Sequence, residues 1–216
     1  MKIEFFQYIY SKYSGLNFSP EYEEDRSVAL LGLEKRMTRV YGVKGRYGIL
    51  DGEFLHRSLL WQRDTDKPEP LRKIDFKQSP EVPSWSWMAV MGQIRYMDAP
   101  FDWMEWNRDI ETPLKRYSAE DIEIQDFEVL AYDANLEDDT RCIYDRKIEV
   151  GAPDNLKCVI IGWEKMEMGE DPTDYYVLLL TPTDAKGGST DHTRLGVARM
   201  TGDEIVKETE CTVRIV

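Results

Sequence analysis

The 216-residue chain is poor in the side chains that metal and redox sites need. Its two histidines, His56 and His192, are far apart, and neither has a second histidine or cysteine at metal-ligand spacing. Its three cysteines, Cys142, Cys158 and Cys211, form no Cys-x-x-Cys pair and fit a reducing compartment. We therefore expect a cytoplasmic protein with no metal and no cofactor, in which both histidines have structural or surface roles.

Recognisable catalytic and phosphate-binding motifs are also missing. The chain has no Gly-x-Ser-x-Gly elbow, and residues 42–48 lack the Gly-Lys-Ser/Thr that completes a P-loop. The alternating acids and amides from Asp133 onward do not form a calcium loop, because Asp138 stands where glycine is required and Tyr144 where glutamate is. With 41 acidic residues, no pair of carboxylates stands out as catalytic. The sequence therefore predicts no catalytic residues and a protein that is not an enzyme.

Positive charge is in deficit, with 28 Lys and Arg against 41 Asp and Glu and a net charge of −13. The acidic excess lies in residues 81–216. Such a protein is not drawn to nucleic acid by its overall charge. No stretch approaches the roughly 20 apolar residues of a membrane span, and Lys2 and Glu4 interrupt the first ten residues, so no signal peptide is visible. We expect neither a nucleic-acid partner nor a membrane.

Apolar spacing predicts helices in the first part of the chain. Residues 5–13 carry aromatic and aliphatic side chains three and four apart, and Gly15 ends the run. A second helix is predicted after Ser19-Pro20, with Gly42 as its stop. Its expected buried face consists of Leu30, Leu33, Met37 and Val40. A further short element is predicted over residues 53–61, and residues 64–70 as a surface loop.

The remainder of the chain predicts strands. Residues 84–90 and 93–97 alternate around a Met91-Gly92 turn and are expected to form a hairpin. The change in parity between Ile124 and Phe127 predicts a bulge near Gln125-Asp126. The apolar runs 158–163 and 175–180 predict strands buried on both faces, with hairpin connections over 169–174 and 184–191.

These elements predict the α+β class in one domain, residues 1–216. Residues 1–62 are expected to form a helical layer. That layer would pack on a mainly antiparallel β-sheet or barrel-like part spanning residues 83–216.

Five of the six tryptophans leave two interpretations open. Trp85 and Trp87 are two residues apart, so on a strand both would face the same side. They could fill the seam between helices and sheet, or they could join Trp61, Trp103 and Trp106 in an exposed platform that stacks a sugar or anchors a partner. We favour the seam, because a buried indole removes up to about 250 Å² from water.

The run Pro83, Ser84, Trp85, Ser86 and Trp87 resembles a signature of fungal heterokaryon-incompatibility (HET) domain proteins, in the region that follows the HET domain. Other motifs are similar in the same order: Tyr13-Ser14, Asp25-Arg26 with Ala29 and Gly32-Leu33, Leu59-Leu60-Trp61, residues 176–180 and residues 194–198. The likeness spans roughly residues 6 to 200, and its specific motifs lie within residues 13–97.

Three places depart from the family pattern. The family usually has leucine at the position of Ser27 and tryptophan at the position of Leu50. It usually has Ala-Ser after the second tryptophan, where this chain has Met88-Ala89. The resemblance implies a HET domain that normally precedes this region, and the chain begins past it. We therefore expect a fragment, the product of a misjudged gene start, or a stand-alone relative.

The resemblance implies a non-catalytic C-terminal region that serves fungal self/non-self recognition and regulated cell death. In that role it would be a scaffold or restraint whose protein partner is a HET-type signalling domain, in cis or in trans. Within it, Asp25 is expected to cap the second helix and Arg26 to pair with an acid from the C-terminal half. The alternative is an intracellular carbohydrate- or small-ligand-binding β-module that uses the aromatic platform.

Overall fold

The computed structural model describes residues 2–67, 69–77, 81–116, 122–136, 140–147, 155–166, 172–183 and 190–216. Over these residues the chain forms three α-helices and fifteen strands. The mixed α+β class predicted from the sequence is confirmed. Among the described residues, no helix is both long enough and apolar enough to span a bilayer.

The helices occupy the first part of the chain. They are α1 (Lys2–Ser14), α2 (Arg26–Tyr41) and α3 (Leu55–Leu59). Gly42 ends α2 in the left-handed conformation, with φ of 71° and its N–H bonded to the Thr38 carbonyl. The start of α2 differs from expectation, because Pro20–Tyr22 forms a separate 3-10 turn before it.

The buried face of α2 is only half as predicted. Leu30 and Met37 are buried, but Leu33 and Val40 are exposed. Their places in the interior are taken by polar side chains, including Glu34 on the same turn as Leu33. The spacing of apolar residues could not predict this face, because hydrogen-bond partners elsewhere in the chain allow polar side chains to be buried there.

Short strands form four two-stranded antiparallel sheets in the described part of the chain. The pairs are β1 (Gly45–Arg46) with β2 (Ile49–Leu50), β3 (Trp61–Arg63) with β6 (Ile94–Tyr96), β4 (Arg72–Lys73) with β5 (Val90–Met91), and β8 (Leu114–Arg116) with β9 (Ile122–Ile124). The helices lie against three of these strands: α1 contacts β6, α2 contacts β1 and α3 contacts β2.

The predicted hairpin over residues 84–97 is wrong. Its second strand exists as β6, but residues 84–86 form a turn and Trp87–Ala89 a 3-10 helix. Gly92 does not join two paired strands, since β5 pairs with β4 and β6 with β3. The Ser86 hydroxyl accepts from the Met88 N–H, a local bond that competes with a strand ladder.

Seven strands, five of them eight to eleven residues long, form one large sheet. They are β7 (Met104–Trp106), β10 (Phe127–Ala134), β11 (Cys142–Tyr144), β12 (Lys157–Glu164), β13 (Tyr175–Pro182), β14 (Asp191–Met200) and β15 (Ile205–Ile215). The order β10-β15-β14-β13-β12 closes where β12 pairs with β10, giving a five-stranded barrel. Strands β7 and β11 extend it from β12 and β14. All pairings are antiparallel except a short parallel contact between β14 and β15.

The apolar runs predicted as strands buried on both faces are confirmed as the main parts of β12 and β13. The prediction of a bulge near Gln125-Asp126 is wrong. Ile124 ends β9 and Phe127 begins β10, and these two strands belong to different sheets. The predicted connections over 169–174 and 184–191 lie largely outside the described residues.

One apolar core joins the helical part to the barrel. It contains Phe6 and Leu30 from the helices together with Phe127 and Val213 from barrel strands. A second core is built from strand residues and flanking segments and includes Met200. The helices and the barrel therefore share buried surface.

Candidate functional site

The segment of residues 83–87 is a tight turn. The Ser86 N–H donates to the Pro83 carbonyl at 2.9 Å. The Ser86 hydroxyl donates to the Tyr47 carbonyl at 2.6 Å and accepts from the Met88 N–H at 3.0 Å, which caps the following 3-10 helix. A turn followed by a helix removes the period-two geometry, so the two tryptophans need not share a face.

Trp85 points to the barrel. Its side chain is 1% exposed and meets Phe127 of β10 edge to face, with ring centroids 6.0 Å apart. Its carbonyl accepts a hydrogen bond from the Trp61 indole N–H at 2.8 Å. Trp85 thus connects the barrel to β3.

Trp87 points to the helices. It is fully buried, and its ring centroid lies 5.3 Å from that of Tyr10 and 6.3 Å from that of Tyr13, both in α1. Gly48 lies against the same indole: a Cβ there would sit 2.0 Å from Trp87 Nε1. The two tryptophans therefore contact different layers, and the expectation that they share a face is wrong.

The structure confirms burial of the tryptophan pair and does not form the exposed platform. Trp61 is as buried as Trp85 and Trp87, whereas Trp103 is 67% exposed. Trp106 stacks on His56 with ring centroids 5.5 Å apart. The seam interpretation predicted the burial of Trp85 and Trp87.

Arg26 is buried beneath Trp87, with its guanidinium carbon 5.0 Å from the ring centroid. The guanidinium donates to the carbonyls of Val90 and Ser14, the latter at 3.2 Å. The expected ion pair with a C-terminal acid is wrong: the two terminal nitrogens of the guanidinium donate to backbone carbonyls instead. Asp25 lies at the N-cap position but its side chain makes no capping bond, so that prediction is also wrong.

Arg194 on β14 is the second buried arginine of the site. Its Nε donates to Asp145 Oδ2 at 2.9 Å, and its terminal nitrogens donate to the carbonyls of Leu59, at 2.7 Å, and Trp61. Its guanidinium carbon lies 3.5 Å from the Trp61 ring centroid. One side chain from the barrel therefore holds the end of α3 and the start of β3.

Ser84 completes the connection to the barrel. Its hydroxyl accepts from the Arg194 backbone N–H at 3.1 Å, and its own N–H donates to the Val216 carbonyl at 3.0 Å. On the helical side, the Ser14 hydroxyl accepts from the Ile94 N–H at 2.9 Å. We refer to the buried contacts of Ser14, Arg26, Trp61, residues 84–87 and Arg194 as the motif network.

Glu34 is buried beside the motif network. Its Oε1 accepts from the Gly48 N–H at 2.7 Å and the Tyr10 hydroxyl at 3.2 Å. Burial raises the pKa of Glu34 to about 7, against the lowering effect of these hydrogen bonds. Glu34 is therefore protonated in much of the folded population at neutral pH.

Each histidine has one ring nitrogen close to a backbone carbonyl. His56 Nε2 lies 2.7 Å from the Asn107 carbonyl, and His192 Nδ1 lies 2.9 Å from the Thr190 carbonyl. Within the described ranges, no group of three histidine, cysteine or acidic side chains is placed to hold a metal ion.

Several site residues were not identifiable from the sequence. Asp145 carried no signal, and Glu34 looked like an ordinary polar position of an amphipathic helix. Arg194 belongs to the motif of residues 194–198, but the sequence predicts no contact for its side chain. Only the fold brings it to Trp61.

Comparisons with family models, with curated proteins and with solved structures give no match. The resemblance to HET-type proteins therefore depends on the motif residues, and it remains a prediction.

Proposed function

We propose that this chain is the non-catalytic C-terminal region of a HET-type protein and serves as a scaffold or restraint for a signalling domain. The observation that supports it is the convergence of the motif network. Ser14, Arg26, Trp61, residues 84–87 and Arg194 are distant in sequence yet meet in one buried set of contacts.

The chemistry of these contacts favours a structural role. Both arginines are buried and direct donors to backbone carbonyls, and the indoles are covered by other side chains. Groups engaged in this way hold elements in place and are not free to act on a substrate. In this proposal the helical layer packs against the barrel part, and residues 83–87 form the joint that makes one rigid body for a partner to bind.

Binding to a separately expressed HET domain from the same organism tests the partner role. We expect isothermal titration at tens of micromolar to give a saturable complex. An unrelated protein with a pI near 4.7, matching this chain, serves as the control for charge-driven association. A flat trace with the HET domain would contradict the proposal.

The alternative, a sugar- or ligand-binding module with an aromatic platform, lacks its main structural requirement. Stacking needs exposed rings, and Trp61, Trp85 and Trp87 are buried. Iodide quenching of tryptophan fluorescence, compared with Trp85→Phe and Trp87→Phe variants, checks this in solution. Both variants should leave the intensity that iodide can quench unchanged, because the ring that each variant removes is buried.

A further inference from the structure

The loop of residues 98–103, which joins β6 to β7, exposes two large aromatic side chains. Trp103 is 67% exposed and Phe101 is 50% exposed. Single apolar side chains on a protein surface are ordinary, whereas neighbouring large rings are typical of interaction sites. We refer to residues 98–103 as the aromatic loop.

Arg57 of α3 fixes the first half of the aromatic loop. Its guanidinium donates to the carbonyls of Ala99, at 2.6 Å, and Pro100, at 3.0 Å. The same group lies against the Phe101 ring, with its central carbon 3.8 Å from the ring centroid. One buried side chain therefore holds both the backbone and the Phe101 ring in place.

Lys165, which follows β12, fixes the second half. Its N–H donates to the Trp103 carbonyl at 2.7 Å, and its Nζ donates to the Asp102 carbonyl at 3.2 Å. Four of the six carbonyls of the aromatic loop are thus engaged. A partner that covers the two rings removes apolar surface from water without first having to order the loop.

The charge around the aromatic loop defines which partner fits. The acidic side chains there are Glu4, Asp98, Asp102 and Glu105, and the basic ones are Arg57 and Lys165, which both donate to carbonyls of the loop. The neighbouring Glu164 and Arg199 form an ion pair at 2.6 Å and add no net charge. Acids are therefore in excess, which favours a basic partner and disfavours anionic membranes and nucleic acids.

We propose that the aromatic loop is a docking site for a segment of a partner protein that carries arginine beside apolar side chains. The apolar side chains of that segment cover Phe101 and Trp103. Its guanidinium stacks on the Trp103 indole and pairs with the Asp102 carboxylate, two contacts that suit a planar cation. The inference goes beyond the proposed function and does not depend on it, because it names a surface and a chemistry for a partner of any family.

A display library of random 12-residue peptides, selected on the unmodified chain, tests the proposal. Peptides that also bind Trp103→Ala are removed by counter-selection. This variant keeps the net charge of −13, so the step discards peptides that are held by overall charge alone. We expect the remaining peptides to be enriched in arginine next to aromatic or aliphatic residues.

The strongest of these peptides is then titrated, with binding followed by the NMR signal of the Trp103 indole N–H. We expect Trp103→Ala, measured by calorimetry, to weaken binding at least about thirtyfold, as at an aromatic hot spot. Asp102→Asn should weaken it about threefold, and less at high salt. Val40→Ala is the matched control, because Val40 is 72% exposed on α2 and should leave the affinity unchanged.

Three results would overturn the proposal: no peptide survives the counter-selection, the surviving peptides are rich in acidic residues, or Trp103→Ala binds the chosen peptide as tightly as Val40→Ala does. A Trp103 signal that shifts with cellohexaose, or with vesicles of phosphatidylcholine and phosphatidylserine, would also overturn it, by assigning the loop to a sugar or a membrane. If Trp103→Ala does not fold in urea melts, Asp102→Asn and its salt dependence still decide whether the peptide docks on this loop.

Discussion

The Arg194 guanidinium lies 3.5 Å from the centre of the Trp61 ring and donates to the carbonyl of the same residue, 133 positions away in sequence. A cation stacked on an indole gains from the negative face of the ring, more so when both are removed from water. The same guanidinium is paired with Asp145. A barrel strand and the segment that follows the helices are therefore held by one buried cation.

Removing that cation should be costly. We expect Arg194→Met to lower the free energy of unfolding by about 3–5 kcal/mol, because it leaves Asp145 buried without its counter-charge. Urea unfolding measures the loss. Adding Asp145→Leu should recover part of it, since the orphaned charge is then gone. Arg214→Met is the control: its pair with Asp191 is solvent-accessible, so a loss as large as that of Arg194→Met would contradict the argument.

The two tryptophans should contribute to stability through burial. Trp85→Ala or Trp87→Ala is expected to cost about 3–5 kcal/mol, because each leaves a large cavity in the shared core. Trp103→Ala, at a ring that is 67% exposed, should stay within about 0.5 kcal/mol. A loss under about 1 kcal/mol for both buried tryptophans in urea melts would be incompatible with this packing.

Gly48 provides a test of the close approach to Trp87. Gly48 and Gly52 both have positive φ, 75° and 63°, so alanine at either position costs about 1–2 kcal/mol of backbone strain. Only at Gly48 would the new Cβ collide with the indole. Thermal melts should therefore show Gly48→Ala at least about 2 kcal/mol less stable than Gly52→Ala. Equal losses would mean that the indole is not against the turn.

The raised pKa of Glu34 should make the stability of the fold depend on pH in an unusual way. Its pKa rises from an ordinary 4.5 to about 7 on folding, so between these values the folded chain holds a proton that the unfolded chain has lost. The Glu34 contribution is therefore full below pH 4.5, falls as pH rises to about 7, and is constant above that. The total fall is about 3 kcal/mol.

Glu34→Gln isolates this effect because the amide keeps the oxygen acceptor and cannot ionise. We expect the stability difference between the variant and the unmodified chain to move in favour of the variant by about 3 kcal/mol between pH 4 and pH 8 in urea melts. A difference that does not change with pH would show that Glu34 titrates normally.

The sequence predicted what depends on local patterns. Apolar runs identified β12 and β13, and helical spacing identified α1 and the body of α2. The burial of Trp85 and Trp87 also followed from the area that an indole removes from water. These features are decided by neighbouring residues or by the size of one side chain.

What failed depends on distant partners. Leu33 was expected inside, yet it is exposed and Glu34 is buried, with hydrogen bonds from Gly48 and Tyr10. Arg26 was expected to meet an acid and instead meets the carbonyls of Ser14 and Val90. Such partners are brought together by tertiary structure, which no local spacing encodes.

The most direct test of the joint between helices and barrel is residue-specific urea unfolding, following NMR signals of Leu30 in α2 and Leu178 in β13. If the motif network joins the two parts, both signals are lost at one midpoint, and Trp85→Ala lowers that midpoint equally for both. Loss of Leu30 at clearly lower urea than Leu178 in the unmodified chain would contradict the account.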